Sequence, residues 1–572
     1  MFIPTTPEEV RKRGWDGLDI ILISGDTYID SSYNGSALIG RWLIENGYKV
    51  GIIAQPDVTS DTDVARLGDP LLFWSVSAGC VDSMVANYSA TKKRRKDDDF
   101  TPGGVNNRRP DRACIAYSNL IRKYFKGARI VLGGIEASLR RIAHYDMWSD
   151  SVRRSVLFDS KADIITYGMS ESANLELADS LKNGTSWNDI RGICYISQEN
   201  KNGYNEIPSY GSCSSDKDEF ISAFTSFYNN CDPLTAEGFV QKHGDRYLVH
   251  NPPSYLLTQG TLDRIYEMDF ENRVHPYYLK DGEVRSMATI KQSVTTHRGC
   301  YGECNFCAIG VHQGRTVISR SEDSIVREIE RMTKKKGFNG IIYDVGGPTA
   351  NMYGIECLKK ERTGACTDKR CIYPKICERL PVDHGRQISL LQRIMNIDGV
   401  KKVFVTSGIR YDMILHDKMN GERYLDQIVR NNISGQLKIA PEHVSEDVVR
   451  LMGKPGKKEL LQFKKMFDAS NERCGKEQFL TYYLIAAHPG CYERHMEELR
   501  RFCTSELRTN PEQVQIFTPT PSTLSTMMYH TRRDIDNRND LKVERSMQMK
   551  QKQKDIVLGA HGTAKLPKNT KK

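Results

Sequence analysis

Two α/β units in tandem are what the sequence predicts: a doubly wound, Rossmann-like domain over residues 1–200, then a partial (β/α)6 TIM-like barrel over residues 286–530. Three observations predict this. Short β-branched runs alternate with helical patterns from residue 18 onward; six strand-then-helix units follow one another in the second half; and cysteines, glycines and histidines collect at the predicted carboxyl ends of those six strands.

In the first unit the strands read DIILISG, KVGIIAQP, LLFWSVSAG, ARIVLGG, ADIITYG and GICYIS, with helical stretches such as SALIGRWLIENGY and CIAYSNLIRKYF between them. A parallel sheet of this kind binds ligands beyond the carboxyl ends of its strands. Asp26, Asp30, Gly133, Gly134 and Glu136 are expected there. Residues 201–285 have weaker periodicity, punctuated by NPPS and HPYY, and read as a connecting segment.

The barrel strands are expected at SVTTH, GIIYDVGG, KVFVTSG, QLKIAPEH, YYLIAAHPG and QVQIFTPT. Ser319 with Glu322 is placed to form a capping box for the first helix, SEDSIVREIERMTKK. Working residues of a βα barrel gather at the carboxyl ends of its strands. Here those ends carry Gly346 and Gly347, Ser407 and Arg410, Glu442 and His443, His488 and Gly490, and Thr518 and Thr520. After the first strand comes TTHRGCYGECNFCAIG, with Cys300, Cys304 and Cys307 in a C-x3-C-x2-C pattern.

Three thiolates so close can hold one metal centre, and thiolate suits zinc or an iron–sulfur cluster. A structural zinc site wants four ligands, so three leave a metal position open for chemistry. A zinc knuckle that borrows His297 or His312 as its fourth ligand is the alternative. Gly299 and Gly302 suit a loop that wraps closely around a cluster.

The 15 cysteines of this 572-residue chain come without an export signal, so reduced thiols and metal ligation account for them better than disulfides. No run approaches the ~18 apolar residues of a membrane span, and a cytoplasmic protein with no membrane contact is expected. The net charge of +10 is uneven. Residues 531–572 hold 12 Lys/Arg against 5 Asp/Glu and read as a basic, flexible tail, with nucleic-acid or ribosome contact through phosphate attraction as one use for it.

The run HRGCYGECNFCAI resembles the cluster motif of the radical S-adenosylmethionine (SAM) superfamily. YLVHNPP, MDFENRVHPYY, IKQSVTTHRGC, DVGGPTANMYG, LKIAPEHVSEDVV and FTPTPSTLSTMMYHT are similar to segments of the YgiQ family within it, and the similarity covers nearly the whole chain apart from the tail. The resemblance implies a [4Fe-4S] cluster held by Cys300, Cys304 and Cys307, with the fourth iron taking the amino and carboxylate groups of SAM. It places Phe306 against adenine and gives Gly346 and Gly347 the backbone role of a Gly-Gly-Glu motif, with Pro348 where the acid usually stands. Ser407 and Arg410 become candidates for ribose and carboxylate contacts.

It further implies a one-electron reductant of flavodoxin or ferredoxin type, a SAM-derived radical that abstracts hydrogen, and an unknown substrate. The first domain is similar to the cobalamin-binding domain of many radical SAM enzymes. Its loop after the first strand, GDTYIDSSYNG, has no histidine, and the first histidine of the chain is His144, so cobalamin with a histidine lower ligand is disfavoured while cobalamin without a protein ligand stays open. The rival functional reading is a metal-containing RNA- or ribosome-binding protein with structural cysteines. Cys357, Cys366, Cys371 and Cys377 form a second group, open between an auxiliary cluster, zinc and free thiols.

Overall fold

The computed structural model describes residues 1–559. Its first sheet begins with β1 (Ile20–Ser24), β2 (Val50–Ala54), β3 (Phe73–Ser77), β4 (Ile130–Gly133) and β5 (Ile164–Thr166). These five are parallel in the order β2-β1-β3-β4-β5, a doubly wound arrangement whose order reverses between β1 and β3. Alternate residues of β1 serve opposite faces. Ile20 and Leu22 pack with Ala37 and Leu43 of the helix Gly35–Glu45, while Ile21 and Ile23 pack with Tyr117 and Leu120 of the helix Ala113–Tyr124. Each such side chain, once buried, contributes about 1.5–3 kcal/mol, which is why β1 is apolar from Ile20 to Ile23 before it ends on Ser24. Asn34 caps the first of these helices by accepting from the N–H groups of Ser36 and Ala37.

The expected boundary at residue 200 does not hold. Four more strands, β6 (Ile193–Ser197), β7 (Asn205–Ile207), β8 (Phe239–His243) and β9 (Arg246–His250), extend the sheet to nine, in the order β7-β8-β9-β6-β5-β4-β3-β1-β2. Segment 201–285 is therefore largely sheet and covering helix rather than a connector. β8 and β9 form a hairpin across Gly244-Asp245, where Gly244 takes φ +70°.

The six barrel strands appear where the sequence put them. They are β10 (Ser293–Thr295), a second strand in two pieces, β11 (Ile341–Ile342) and β12 (Asp344–Gly346), then β13 (Lys402–Val403), β14 (Gln436–Glu442), β15 (Phe479–Ala486) and β16 (Gln513–Ile516). β10 pairs with β12, β11 with β13, and β14 with β15 and β15 with β16, all in parallel. A parallel bridge from Ile409 to Ile439 joins the two halves. Among the described residues β10 and β16 do not pair, so the barrel stays open. Ser321, not Ser319, caps the first barrel helix, Glu322–Thr333, by accepting from Ser324 N–H. Ser319 instead lies in a short strand opposite His297, and its hydroxyl accepts from Gly354 N–H at 2.9 Å.

The tail is also different from expectation up to Leu558. Met547–Leu558 is a helix packed on the helix Glu493–Ser505, with Val557 buried, Lys552 paired to Glu493 at 2.8 Å, and Gln553 accepting from Ala487 N–H at 3.0 Å. The end of the expected basic tail, residues 560–572, lies outside the described residues. No helix among the described residues is long and apolar enough to cross a membrane.

Candidate active site

The loop that follows β10 is held tightly. Gly299 has φ +78°, and a Cβ there would fall 1.9 Å from Thr316 O, so only glycine fits. Asn305 anchors the loop to the helix Glu446–Met452 through its N–H to Met452 O and its side-chain amide to Leu451 O, both at 2.9 Å. Two thiols and a cation converge over Gly302, whose missing Cβ would stand 3.1 Å from Cys300 Sγ and 3.5 Å from both Cys304 Sγ and Arg410 Nη1. Cys307 follows, its N–H bonded to Cys304 O at 2.9 Å.

Burial raises the Cys300 thiol, opposed by the Thr349 hydroxyl 3.4 Å away, the Gly302 N–H at 3.3 Å and the Arg410 charge. Burial first, then Cys304, pushes Cys307 up to about 12. Without metal these two groups are neutral thiols, and a metal centre would displace their protons. No three His, Cys, Asp or Glu side chains among the described residues are placed to share one metal ion. The zinc knuckle completed by His297 or His312 thus has no counterpart: His297 Nδ1 meets the Thr296 hydroxyl at 2.8 Å, and His312 Nδ1 meets the Ser138 hydroxyl at 3.1 Å. A cluster asks for wider spacing, because each thiolate bonds a different iron. The donor set and its surroundings fit one.

Between the two α/β units lies a cavity of about 500 Å³ lined by the carboxyl ends of both; Cys300, Cys304 and Cys307 do not line it, but Ile309 and His312, just after the loop, do. From the barrel come Thr295, His297, Gly346, Gly347 and Ser407. Gly346 and Gly347 lack room for a side chain, since a Cβ would lie 2.7 Å from Ser407 Oγ at the first and 2.6 Å from the His297 ring at the second. Ser407 and His297 pack closely against this backbone, which also lines the cavity. Ser407 donates its hydroxyl to Asp344, which also accepts from the N–H groups of Thr406 at 2.7 Å and Ser407 at 3.0 Å. Sequence reasoning missed Asp344, although an acid two residues before a strand-end Gly-Gly was visible in DVGG.

Arg410 is fully committed. Its Nε and Nη2 grip Asp412 at 2.8 and 2.6 Å, and Nη1 lies 3.8 Å from Cys304 Sγ. The structure sets it beside the cysteines. Phe306 does not line the cavity; it packs edge-on to His488, ring centres 6.4 Å apart. His488 and His443 are structural: His488 Nε2 meets the Ser525 hydroxyl at 2.7 Å, and His443 Nδ1 accepts from the N–H groups of Val444 and Ser445. Burial pushes both down to about 3. Glu442 is buried with φ +67°, and burial raises its carboxyl against the charges of Lys454 and Arg410.

From the first domain come Ser75, Ser77, Gly79, Gly133, Gly134 and Gly168. The acids expected there are occupied: Asp26 pairs with buried Arg109 at 2.7 Å, Asp30 with Arg41, and Glu136 accepts from Ser83 N–H and Cys114 N–H. Across the cavity wall Arg298 of the barrel meets Glu171 of the first domain at 2.6 Å, both buried, leaving Arg298 Nη2 and Glu171 Oε2 without partners. No histidine of the first domain lines the cavity, and His144 Nδ1 lies 3.0 Å from Ile142 O, away from it.

A doubly wound domain set mouth to mouth with a partial barrel, and a thiol triad in the loop after the first barrel strand, define an enzyme class built around a bound metal cofactor. The Radical SAM N-terminal family matches residues 2–293 and the Radical SAM superfamily residues 294–503. A UPF0313 protein of Fusobacterium nucleatum is 59% identical over 97% of this chain and 98% of its own length, and one of Thermotoga maritima is 47% identical over 98% of each. The chain belongs to the UPF0313 family of radical SAM proteins and is a radical SAM enzyme.

The fold is similar to the radical SAM methyltransferase TsrM of Kitasatospora setae, solved with cobalamin and a [4Fe-4S] cluster bound (TM-score 0.51, 11% identity, 88% of this chain and 73% of that one). It is also similar to OxsB, a cobalamin-dependent SAM radical enzyme solved with aqua-cobalamin bound (TM-score 0.50, 12% identity, 91% and 56%).

Proposed function

We propose that the chain binds a [4Fe-4S] cluster through Cys300, Cys304 and Cys307 and cleaves SAM reductively at the cavity between the two units. The observation that carries this reading is the convergence of the Cys300 and Cys304 thiols and Arg410 on Gly302, in the loop that runs on into the cavity-lining residues Ile309 and His312. The cluster, when bound, supplies one electron to the sulfonium of SAM, and the carbon radical so formed takes hydrogen from a substrate. The residues of this chain orient and shield that step. Arg410, Gly302 N–H and the Thr349 hydroxyl favour thiolate at the triad; the bare backbone at 346–347 admits the methionyl part of SAM; and Asp344, fixed by two N–H groups, holds Ser407 at the rim. A flavodoxin- or ferredoxin-type donor is the proposed electron source.

Anaerobic incubation of reconstituted protein with SAM and dithionite tests this. 5′-Deoxyadenosine is expected from the native chain, with at least a hundredfold less from Cys304→Ala. Iron-replete native protein that leaves SAM intact would sink the reading.

The glycine-lined wall at the ends of β3, β4 and β5 favours a second occupant, a corrinoid. The cobalamin bound by TsrM and OxsB supports this. Arg298 Nη2 and Glu171 Oε2 offer a free donor and a free acceptor to its polar side chains. No histidine of the first domain would serve a corrinoid there; the histidines at the cavity, His297 and His312, belong to the barrel. Gel filtration of the anaerobic protein incubated with cob(II)alamin is expected to recover corrinoid with the chain; failure to bind counts against it.

A further inference from the structure

The stretch CLKKERTGACTDKRCIYPKIC, residues 357–377, lies between β12 and the helix Gly385–Met395. Its four cysteines, Cys357, Cys366, Cys371 and Cys377, all line one small cavity. Tyr301, the residue after Cys300, is fully buried, and its hydroxyl accepts from Cys357 N–H at 3.3 Å, linking this cavity to the triad loop. Cys357 and Cys371 pack with Tyr301 in one apolar cluster.

The rest of the cavity wall is cationic. Lys359, Lys360, Lys369, Arg370 and Arg379 line it with no carboxylate among them, and none of the five pairs with Asp or Glu within 4.0 Å in the described residues. Lys360 is 4% exposed; its ammonium reaches Arg315 O at 2.5 Å and Cys371 Sγ at 3.6 Å and stands 5.4 Å from the Tyr301 ring centre, with no carboxylate among its partners. A buried ammonium without a counter-charge is costly, so this one calls for an anion at the cysteines. Neutral thiols do not supply it. Four thiolates around a doubly positive [4Fe-4S] core carry two net negative charges and do.

We propose that Cys357, Cys366, Cys371 and Cys377 bind a second [4Fe-4S] cluster, fully ligated by protein and balanced by Lys360 and its neighbours. Zinc is the other metal that four thiolates suit. This site is independent of whether the first one cleaves SAM.

Iron, sulfide and zinc are measured on anaerobically purified full-length chain and on Cys300→Ala/Cys304→Ala/Cys307→Ala. The native chain is expected to hold about eight irons and eight sulfides, two cubane clusters. The triple variant should keep about half of each, with a [4Fe-4S] Mössbauer doublet, and lose it when Cys366→Ala and Cys371→Ala are added. A folded triple variant that holds zinc, or no metal at all, overturns the proposal. Should the variants fail to fold, the native chain decides: about four irons overturns it and about eight upholds it. Intact SAM beside eight irons would defeat the proposed function and leave this site standing.

Discussion

Arg410 is the residue on which the triad's electrostatics turn. It stands between Asp412, which it grips with two bonds, and Cys304, so one buried cation serves a structural carboxylate and a proposed metal ligand together. Arg410→Met leaves Asp412 buried and unpaired, and thermal or urea unfolding should report a loss of about 3–5 kcal/mol. Arg410→Met/Asp412→Asn should recover most of that stability while still retaining less iron than the native chain. Equal iron retention in the double variant would show that the guanidinium does not serve the cysteines. The sequence made Arg410 conspicuous as a charged strand-end residue. It could not show Asp412 taking two of its nitrogens, because two residues apart at a strand end gives no fixed geometry.

At the scale of elements, strand identity was legible and helix caps were not. All six barrel strands stand where β-branched runs ended in glycine or polar residues, since burial on a parallel sheet leaves that pattern. Ser319 looked like a cap because Glu322 lies three residues on, yet Ser321 does the capping; tertiary pairing of Ser319 with His297 decided it. The hairpin of β8 and β9 was missed, its residues being read as part of a connecting segment, although FVQKHGDRYLV flanks a Gly-Asp turn with alternating residues.

One junction between elements carries a pH dependence. Asp417, at the end of the helix Tyr411–His416, accepts from His384 N–H at 2.9 Å and faces His384 Nδ1 at 2.8 Å, at the start of the helix Gly385–Met395. Burial raises its carboxyl, but the bonds from His384 and Asn420 outweigh this and lower it to about 2. A depressed carboxylate stabilises above its unfolded pKa, near 3.9, and that stability is lost as pH falls through about 2. Asp417→Asn should cost about 2 kcal/mol at pH 7, and chemical unfolding followed from pH 5 to pH 2 should show a flatter acid limb than the native chain. An unchanged acid limb would remove Asp417 from the account.

The molecule as a whole is two α/β units with their ligand-binding edges turned toward one cavity, joined across it by the buried Arg298–Glu171 pair. The sequence revealed the two units and the residue types at their strand ends, because strand periodicity and local spacing are short-range signals. It did not reveal the facing, which depends on contacts such as Ser522 Oγ to Leu139 O, hundreds of residues apart. For the same reason Asp26, Asp30 and Glu136 looked available for a ligand and proved to be bound up in pairs with Arg109, Arg41 and Ser83. The helix Met547–Leu558 looked like solvated tail because its buried side is made by Lys550, Gln553 and Val557, only one of them apolar.

The central claim is that the triad loop presents a metal with one coordination position left for SAM. Electron–nuclear double resonance on the reduced, iron-replete native chain with SAM labelled at its amino nitrogen with nitrogen-15 addresses it most directly. The account predicts a hyperfine coupling from that nitrogen to the cluster, lost in Cys304→Ala. SAM bound to reduced, iron-replete protein with no such coupling would contradict it.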